Sequence, residues 1–221
     1  ATTENNLGMA ATAFNAKIIS IKCSKDNQLE PGVYNGYQGI VYAAKAGYFN
    51  DTFTIINNSW GGGGYSTYEQ SQVNIAYDTY GAIIVAAAGN GLDYPNYGEE
   101  YTSHYPSSYE NVNSVAAMGC SGTWGHWATY HPTVDFGAPG ESILGAVIGV
   151  SFEEWDGSSM ASPNVSSCFG LLKAYFPDLT NSELETRLED SADRFIYDIN
   201  PSYEDCDGND GDHPGIDCLG N

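Results

Sequence analysis

"AIIVAAAGN", residues 82–90, is an unbroken apolar run of strand length that ends in glycine and asparagine. A strand with one wet face alternates polar and apolar residues; this one does not, so both of its faces are expected to be covered. Its neighbours extend the pattern. "AKIISIKC" (16–23), "TFTIINNSW" (52–60), "VNSVAAMG" (112–119) and "TVDFGAPG" (133–140) read as further strands, while "YQGIVYAAKAGYF" (37–49) and "STYEQSQVNIAYDTYG" (66–81) have helical spacing. In the second helix Ser66 is the expected cap, Glu69 holds the capping-box position and Gly81 stands just past the end. Strands alternating with helices imply crossover connections, hence an α/β fold: three layers, with a mostly parallel sheet and helices on both faces.

The longest helical candidate is "ASPNVSSCFGLLKAYF" (161–176). Pro163 is tolerable only in a first turn, which puts Ser159 immediately before the helix. "TNSELETRLEDSA" (180–192) reads as a charged surface helix with Leu184 and Leu188 on one face. Beyond it the chain turns loop-rich and acidic. A single domain is expected, with a core over 1–194 and an acidic extension over 195–221, because 221 residues suit one core.

Seven Lys and Arg face 28 Asp and Glu, a formal net charge of −21. Such a surface repels phosphate backbones and anionic lipid and favours solubility and divalent cations, so neither nucleic acid nor membrane is an expected partner. No run of 18 apolar residues is present, and "ATTENNLGMA" lacks the basic head and apolar core of a signal peptide. The five cysteines are an odd number, so one stays free or bonds outside the chain. Cys206 and Cys218 read as a loop-closing pair, whereas Cys23, Cys120 and Cys168 lie in or beside apolar segments as core thiols do.

Three segments carry candidate chemistry. In "DGSSMASPNVSS" (156–167), Ser159 at a loop-to-helix junction faces backbone N–H groups that lack intrahelical partners, a place for a nucleophile beside an anion hole and equally for a plain cap. Asn90 ends a buried strand at the carboxyl edge, where its amide can donate to a developing oxyanion, behind the small residues Ala87, Ala88 and Gly89. "NNSWGGG" ends another strand in Ser59, Trp60, Gly61 and Gly62, an edge along which an extended peptide can pair.

Together these segments resemble the subtilisin-like serine proteases. "GSSMASPNV" is similar to that family's nucleophile segment, "AAAGN" to its oxyanion segment, "NNSWGG" to its substrate-binding edge and "VDFGAPG" to the strand and loop before the nucleophile, in family order. "ENNLGMAATAFNAKIISIKC" resembles the segment after the family's histidine helix, and the likeness runs to about Arg194. It departs at Ser158, where threonine is usual, at Trp60, where a smaller apolar residue is common, and at Asn164, where histidine is frequent. The resemblance implies a secreted or extracellular serine endopeptidase with Ser159 as nucleophile and Asn90 as oxyanion donor. It also implies that His104, in "YTSHYPSSY", lies where the primary specificity pocket is lined, while the residues alone read equally as a loop histidine in a longer insertion.

The family's order is aspartate, histidine, serine. Neither an Asp-Ser/Thr-Gly nor a His-Gly-Thr-His segment occurs in these residues. His126 and His131 fall in "GHWATYHP" and His213 in the acidic tail, none on a helix at the sheet edge. A serine hydroxyl is a weak nucleophile without a base. The expectation is therefore that a missing or separate N-terminal chain supplies the aspartate and histidine, as after a cut behind the histidine helix.

Two other readings stay open. "GSSMA" approximates a nucleophile elbow, and an esterase-like triad would use Ser159 with Asp193 or Asp198 and His213. A fold that has lost its chemistry would leave a peptide-binding or structural module. Finally, "DCDGNDGD" (205–212) alternates oxygen ligands with glycines, making Asp205, Asp207 and Asn209 candidate calcium ligands. Its glycines miss the EF-hand offsets and the closing glutamate is absent, so a solvated acidic turn reads equally well. The resembled family often binds structural calcium elsewhere, and no cofactor is required for its chemistry.

Overall fold

The structure is a computed structural model that describes residues 8–27, 32–91, 103–122, 128–129, 131–149 and 151–193. Four strands, β1 (Ile55–Asn58), β2 (Ile83–Ala87), β3 (Asn113–Met118) and β4 (Phe136–Pro139), form one sheet in the order β1-β2-β3-β4. Every pairing is parallel, with Ile55 opposite Ile83, Val85 opposite Asn113 and Val115 opposite Phe136. Helix α1 (Gly36–Phe49) precedes β1, and α2 (Thr67–Asn74) runs on into a π turn (Ile75–Thr79) before β2. After β4 come an antiparallel hairpin, β5 (Ile143–Val147) and β6 (Ser151–Trp155), and then α3 (Ser158–Tyr175) and α4 (Asn181–Ser191).

The two faces of the sheet account for the unbroken apolar runs. Successive side chains of a strand point to opposite faces. Ile83 and Val85 pack with Val115, Phe136, Val165, Phe169 and Leu184 beneath α3 and α4, whereas Ile84 and Ala86 pack with Ile40, Ala44, Val73 and Val112 beneath α1 and α2. Both sets are buried, so the expected three-layer α/β architecture is present.

Local differences have physical causes. Ser66 Oγ accepts from the Glu69 N–H at 3.4 Å as the cap requires, but the Glu69 carboxylate is taken at 2.7 Å by the hydroxyl of Tyr109, which itself accepts from Ser66 N–H. The capping box is thus closed through a residue forty positions on. At α4 the box is direct, with Thr180 and Glu183 bonded reciprocally. Residues 16–23, read as a strand, pair with no ladder among the described residues, and Ile18 and Ile19 stand exposed. The β5–β6 hairpin was not foreseen; every residue of β6 is exposed, so no buried face marked it. Cys120 is exposed rather than a core thiol, while Cys23 and Cys168 are half-buried, and all three are free. Cys206 and Cys218 lie outside the described residues, as does the extension over 195–221.

Candidate active site

The carboxyl ends of β1 and β2 and the first turn of α3 meet at one edge of the sheet. Two asparagines fasten the end of β1. Asn57 Oδ1 accepts from Ser162 Oγ at 2.7 Å and from Ser166 Oγ at 3.3 Å, tying β1 to α3, and Asn58 Nδ2 donates to the Val85 carbonyl at 3.2 Å, tying it to β2. From the end of β4, the Pro139 carbonyl accepts from Asn164 Nδ2 at 3.0 Å.

Helix α3 begins earlier than its proline suggested. Ser159 stands inside the first turn, and Pro163 is the sixth helical residue. Proline has no N–H to give the carbonyl four residues back, which here is that of Ser159. Ser59 Oγ supplies the missing donor at 2.7 Å, and Ser159 Oγ in turn donates to the Ser59 carbonyl at 3.4 Å. Two serines a hundred residues apart are thereby locked at the site, with Ser159 half-buried.

Asn90 is held from the other side. Its Oδ1 accepts from both the N–H and the hydroxyl of Ser158, each at 2.8 Å, and Ser158 Oγ accepts from Gly89 N–H at 3.1 Å. A backbone N–H can only donate, so the atom facing it must be the amide oxygen, and Nδ2 is the end left for a ligand. The turn that permits this is Gly157, at φ 149°, in a region that L side chains rarely adopt; a Cβ there would stand 3.4 Å from Asn90 Nδ2. By position, the N–H of Ser159 has no intrahelical partner. Ser159 Oγ, its backbone N–H and Asn90 Nδ2 thus share one junction, the set needed to attack a carbonyl and to hold the resulting oxyanion.

The remaining expected residues fall as follows. Ala87 and Ala88 are buried at the end of β2, and Gly89 and Asn90 emerge from it. Gly61 and Gly62 are exposed, with Gly62 N–H donating to the Tyr105 carbonyl at 2.9 Å. Trp60 is turned toward α1, edge-on to Tyr37 with ring centres 5.5 Å apart and against Gly36, so its backbone rather than its indole lies along the edge. His104 stands between Gly61 and Gly89. His131 is held by Thr133, whose N–H donates to its Nδ1 at 3.2 Å, and burial lowers its pKa. The hydrogen bond given by Ser159 Oγ runs to a carbonyl, not to an imidazole. Asp193 is described beyond α4, while Asp198, His126, His213, Asp205, Asp207 and Asn209 lie outside the described residues. Among the described residues no three His, Cys, Asp or Glu side chains converge as metal ligands. Ser158 was read only as a departure from threonine; its lock on Asn90 is the feature the sequence reading missed.

A serine in the first turn of a helix and an amide at the neighbouring strand end of a parallel α/β sheet are groups that a serine hydrolase would need, a nucleophile and an oxyanion donor. The subtilase family model of the S8 peptidases matches residues 1–215, and the chain belongs to that family. It is 30% identical to subtilisin DY of Bacillus licheniformis, over 89% of this chain and 70% of that protein. It is also 30% identical to an extracellular protease of Xanthomonas campestris, over 87% of this chain and 34% of that one. Among solved structures, a protease of Pseudoalteromonas arctica superimposes with a TM-score of 0.75 and 27% identity, over 89% of this chain and 62% of that one. The chain spans about half the length of several relatives that it matches.

Family membership and topology together disfavour the esterase-like reading. A nucleophile elbow joins a strand of the parallel sheet to its helix. Here the strand before Ser159 is β6, which pairs antiparallel with β5 outside the main sheet.

Proposed function

We propose that this chain is the nucleophile-bearing part of a serine endopeptidase. The observation that carries the reading is the convergence of Ser159, Asn90 Nδ2 and the Ser59 edge at one junction of β1, β2 and α3. An extended peptide pairs with the backbone of residues 59–62 and 87–89 and presents its carbonyl to Ser159. Ser159 Oγ attacks, a histidine takes its proton, and Asn90 Nδ2 with the Ser159 N–H receives the oxyanion. Return of the proton to the leaving amine gives an acyl-enzyme on Ser159, which water hydrolyses.

The histidine and its orienting aspartate come from a segment outside these residues, carried by a companion N-terminal chain. Three features of the described residues support this. β1 has a partner on one side only, so its other edge offers unpaired backbone. Residues 13–23 run from one helical layer to the other, with Ala13 near Gly170 of α3 and Cys23 against Gly39 of α1, without joining the ladder. Between those anchors Ile18 and Ile19 remain 83% and 75% exposed. One added strand would pair with β1 and cover them.

An extracellular setting fits the net charge of −21 and the similarity to an extracellular protease. No helix among the described residues is long and apolar enough to cross a membrane. The test of the reading is hydrolysis of an unfolded polypeptide by the purified protein, blocked by a fluorophosphonate and absent in Ser159→Ala. Hydrolysis that persists in Ser159→Ala refutes it. A well-folded protein that binds peptides without cleaving them supports the binding-module reading instead.

A further inference from the structure

We propose that His104 closes the floor of the peptide cleft, so that the residue whose carbonyl meets Ser159 must carry a small side chain, as glycine, alanine or serine do. The inference rests on the peptidase reading above and names its substrate class.

The cleft has two backbone walls, residues 59–61 beyond β1 and 87–89 at the end of β2. Ser159 is bonded to Ser59 at the head of the first, and Asn90 stands at the head of the second. A peptide carbonyl between Ser159 and Asn90 sends the side chain of its own residue down between these walls. The imidazole of His104 already occupies that space. It lies so close to Gly61 that a methyl group there would run into its Cδ2 and Nε2, and its Cγ is 3.5 Å from the place a Cβ on Gly89 would take. Both walls are glycine where they meet the ring.

The main chain of His104 is also anchored from below. The His104 N–H donates to Ser108 Oγ at 3.0 Å, and the His104 carbonyl accepts from Ser108 N–H at 2.7 Å and from Ser107 Oγ at 2.5 Å. The next residue holds the first wall, since the Tyr105 carbonyl accepts from Gly62 N–H at 2.9 Å. Behind the second wall, buried Thr129 accepts from Gly91 N–H at 3.0 Å. These bonds fix the backbone that carries the imidazole between the two glycine walls, so the volume of His104, whatever its charge, sets the limit.

The purified protein is titrated with N-acetylated tetrapeptides ending in alanine or in phenylalanine, product-like probes that fill the cleft without needing a base. The alanine peptide should bind at least about tenfold tighter, the scale on which apolar pockets discriminate by size. His104→Gly should abolish or reverse that ratio, with His104→Ala as a second variant and circular dichroism as the check on folding. Should neither variant fold, the ratio in the parent protein decides alone. Equal affinities in the parent, a preference for phenylalanine, or binding of neither peptide overturns the proposal. Absence of the alanine preference from a parent protein that hydrolyses polypeptide through Ser159 refutes the role of His104 only. A protein that prefers alanine but hydrolyses nothing refutes the peptidase reading and keeps the cleft.

Discussion

Ser59 and Ser159 hold each other, the hydroxyl of each donating to the carbonyl of the other, at 2.7 Å from Ser59 and 3.4 Å from Ser159. The arrangement exists because Pro163 withholds the N–H that would otherwise serve the Ser159 carbonyl. Ser59→Ala should therefore destabilise the protein by about 1 kcal/mol, the usual net worth of such a bond. In a Pro163→Ala background the helix regains its own donor, and the same substitution should cost less. A double-mutant cycle by denaturant unfolding measures the difference; equal costs in both backgrounds would contradict the account.

Asn90 is oriented through its oxygen by Ser158, which leaves Nδ2 as the end for a ligand, the oxyanion on the proposed peptidase reading. Asn90→Ala should spare folding and lower kcat by a factor of about 10²–10³, the loss seen for the corresponding donor in the related subtilisin. Ser158→Ala keeps the backbone donor and removes only the hydroxyl, so its loss should be smaller, and Ser158→Thr should recover activity. Steady-state rates on one peptide substrate order the three variants.

Asp135 gives the fold a dependence on pH. The residue is exposed as a whole, yet its carboxyl group is crowded by protein. Lost hydration raises its pKa, the 2.7 Å bond from Ser114 N–H lowers it, and Glu189 and Glu185 raise it again, leaving it at about 7. Glu185 is raised too, by burial first, against hydrogen bonds from Tyr77 and Asn113. The folded state keeps the Asp135 proton to higher pH than the unfolded chain, in which aspartate ionises near pH ~4. Its contribution is full below that value and is lost as the pH rises through about 7. Tm should be higher at about pH 5 than at about pH 8, and Asp135→Asn should shrink the gap. A Tm that does not fall across this range would contradict the assignment.

Much of this was legible in the sequence because it is periodic or local. "AIIVAAAGN" reads as a strand covered on both faces, and Ile83 and Ile84 do enter opposite cores. Ser159 and Asn90 stood out as candidates because strand ends and helix starts carry distinctive small and polar residues. What escaped depends on distant partners. Ser158 locks an asparagine 68 residues away, and Tyr109 takes a carboxylate that local rules assign to the Ser66 cap. Residues 16–23 carry the composition of a strand, but a strand exists only beside another, and none of the described residues forms a ladder with them. The β5–β6 hairpin was illegible for the opposite reason: it buries too little to leave a pattern.

The central claim is that Ser159 is a nucleophile completed by an aspartate and a histidine from outside these 221 residues. The most direct measurement is denaturing, non-reducing mass spectrometry of the purified protein after reaction with a fluorophosphonate. The account predicts one probe on this chain, mapped to Ser159, in a sample that also contains a polypeptide with Asp-Ser/Thr-Gly and His-Gly-Thr-His segments. A probe on another residue, a labelled Ser159 with no such polypeptide present, or an unlabelled Ser159 in its presence would contradict it.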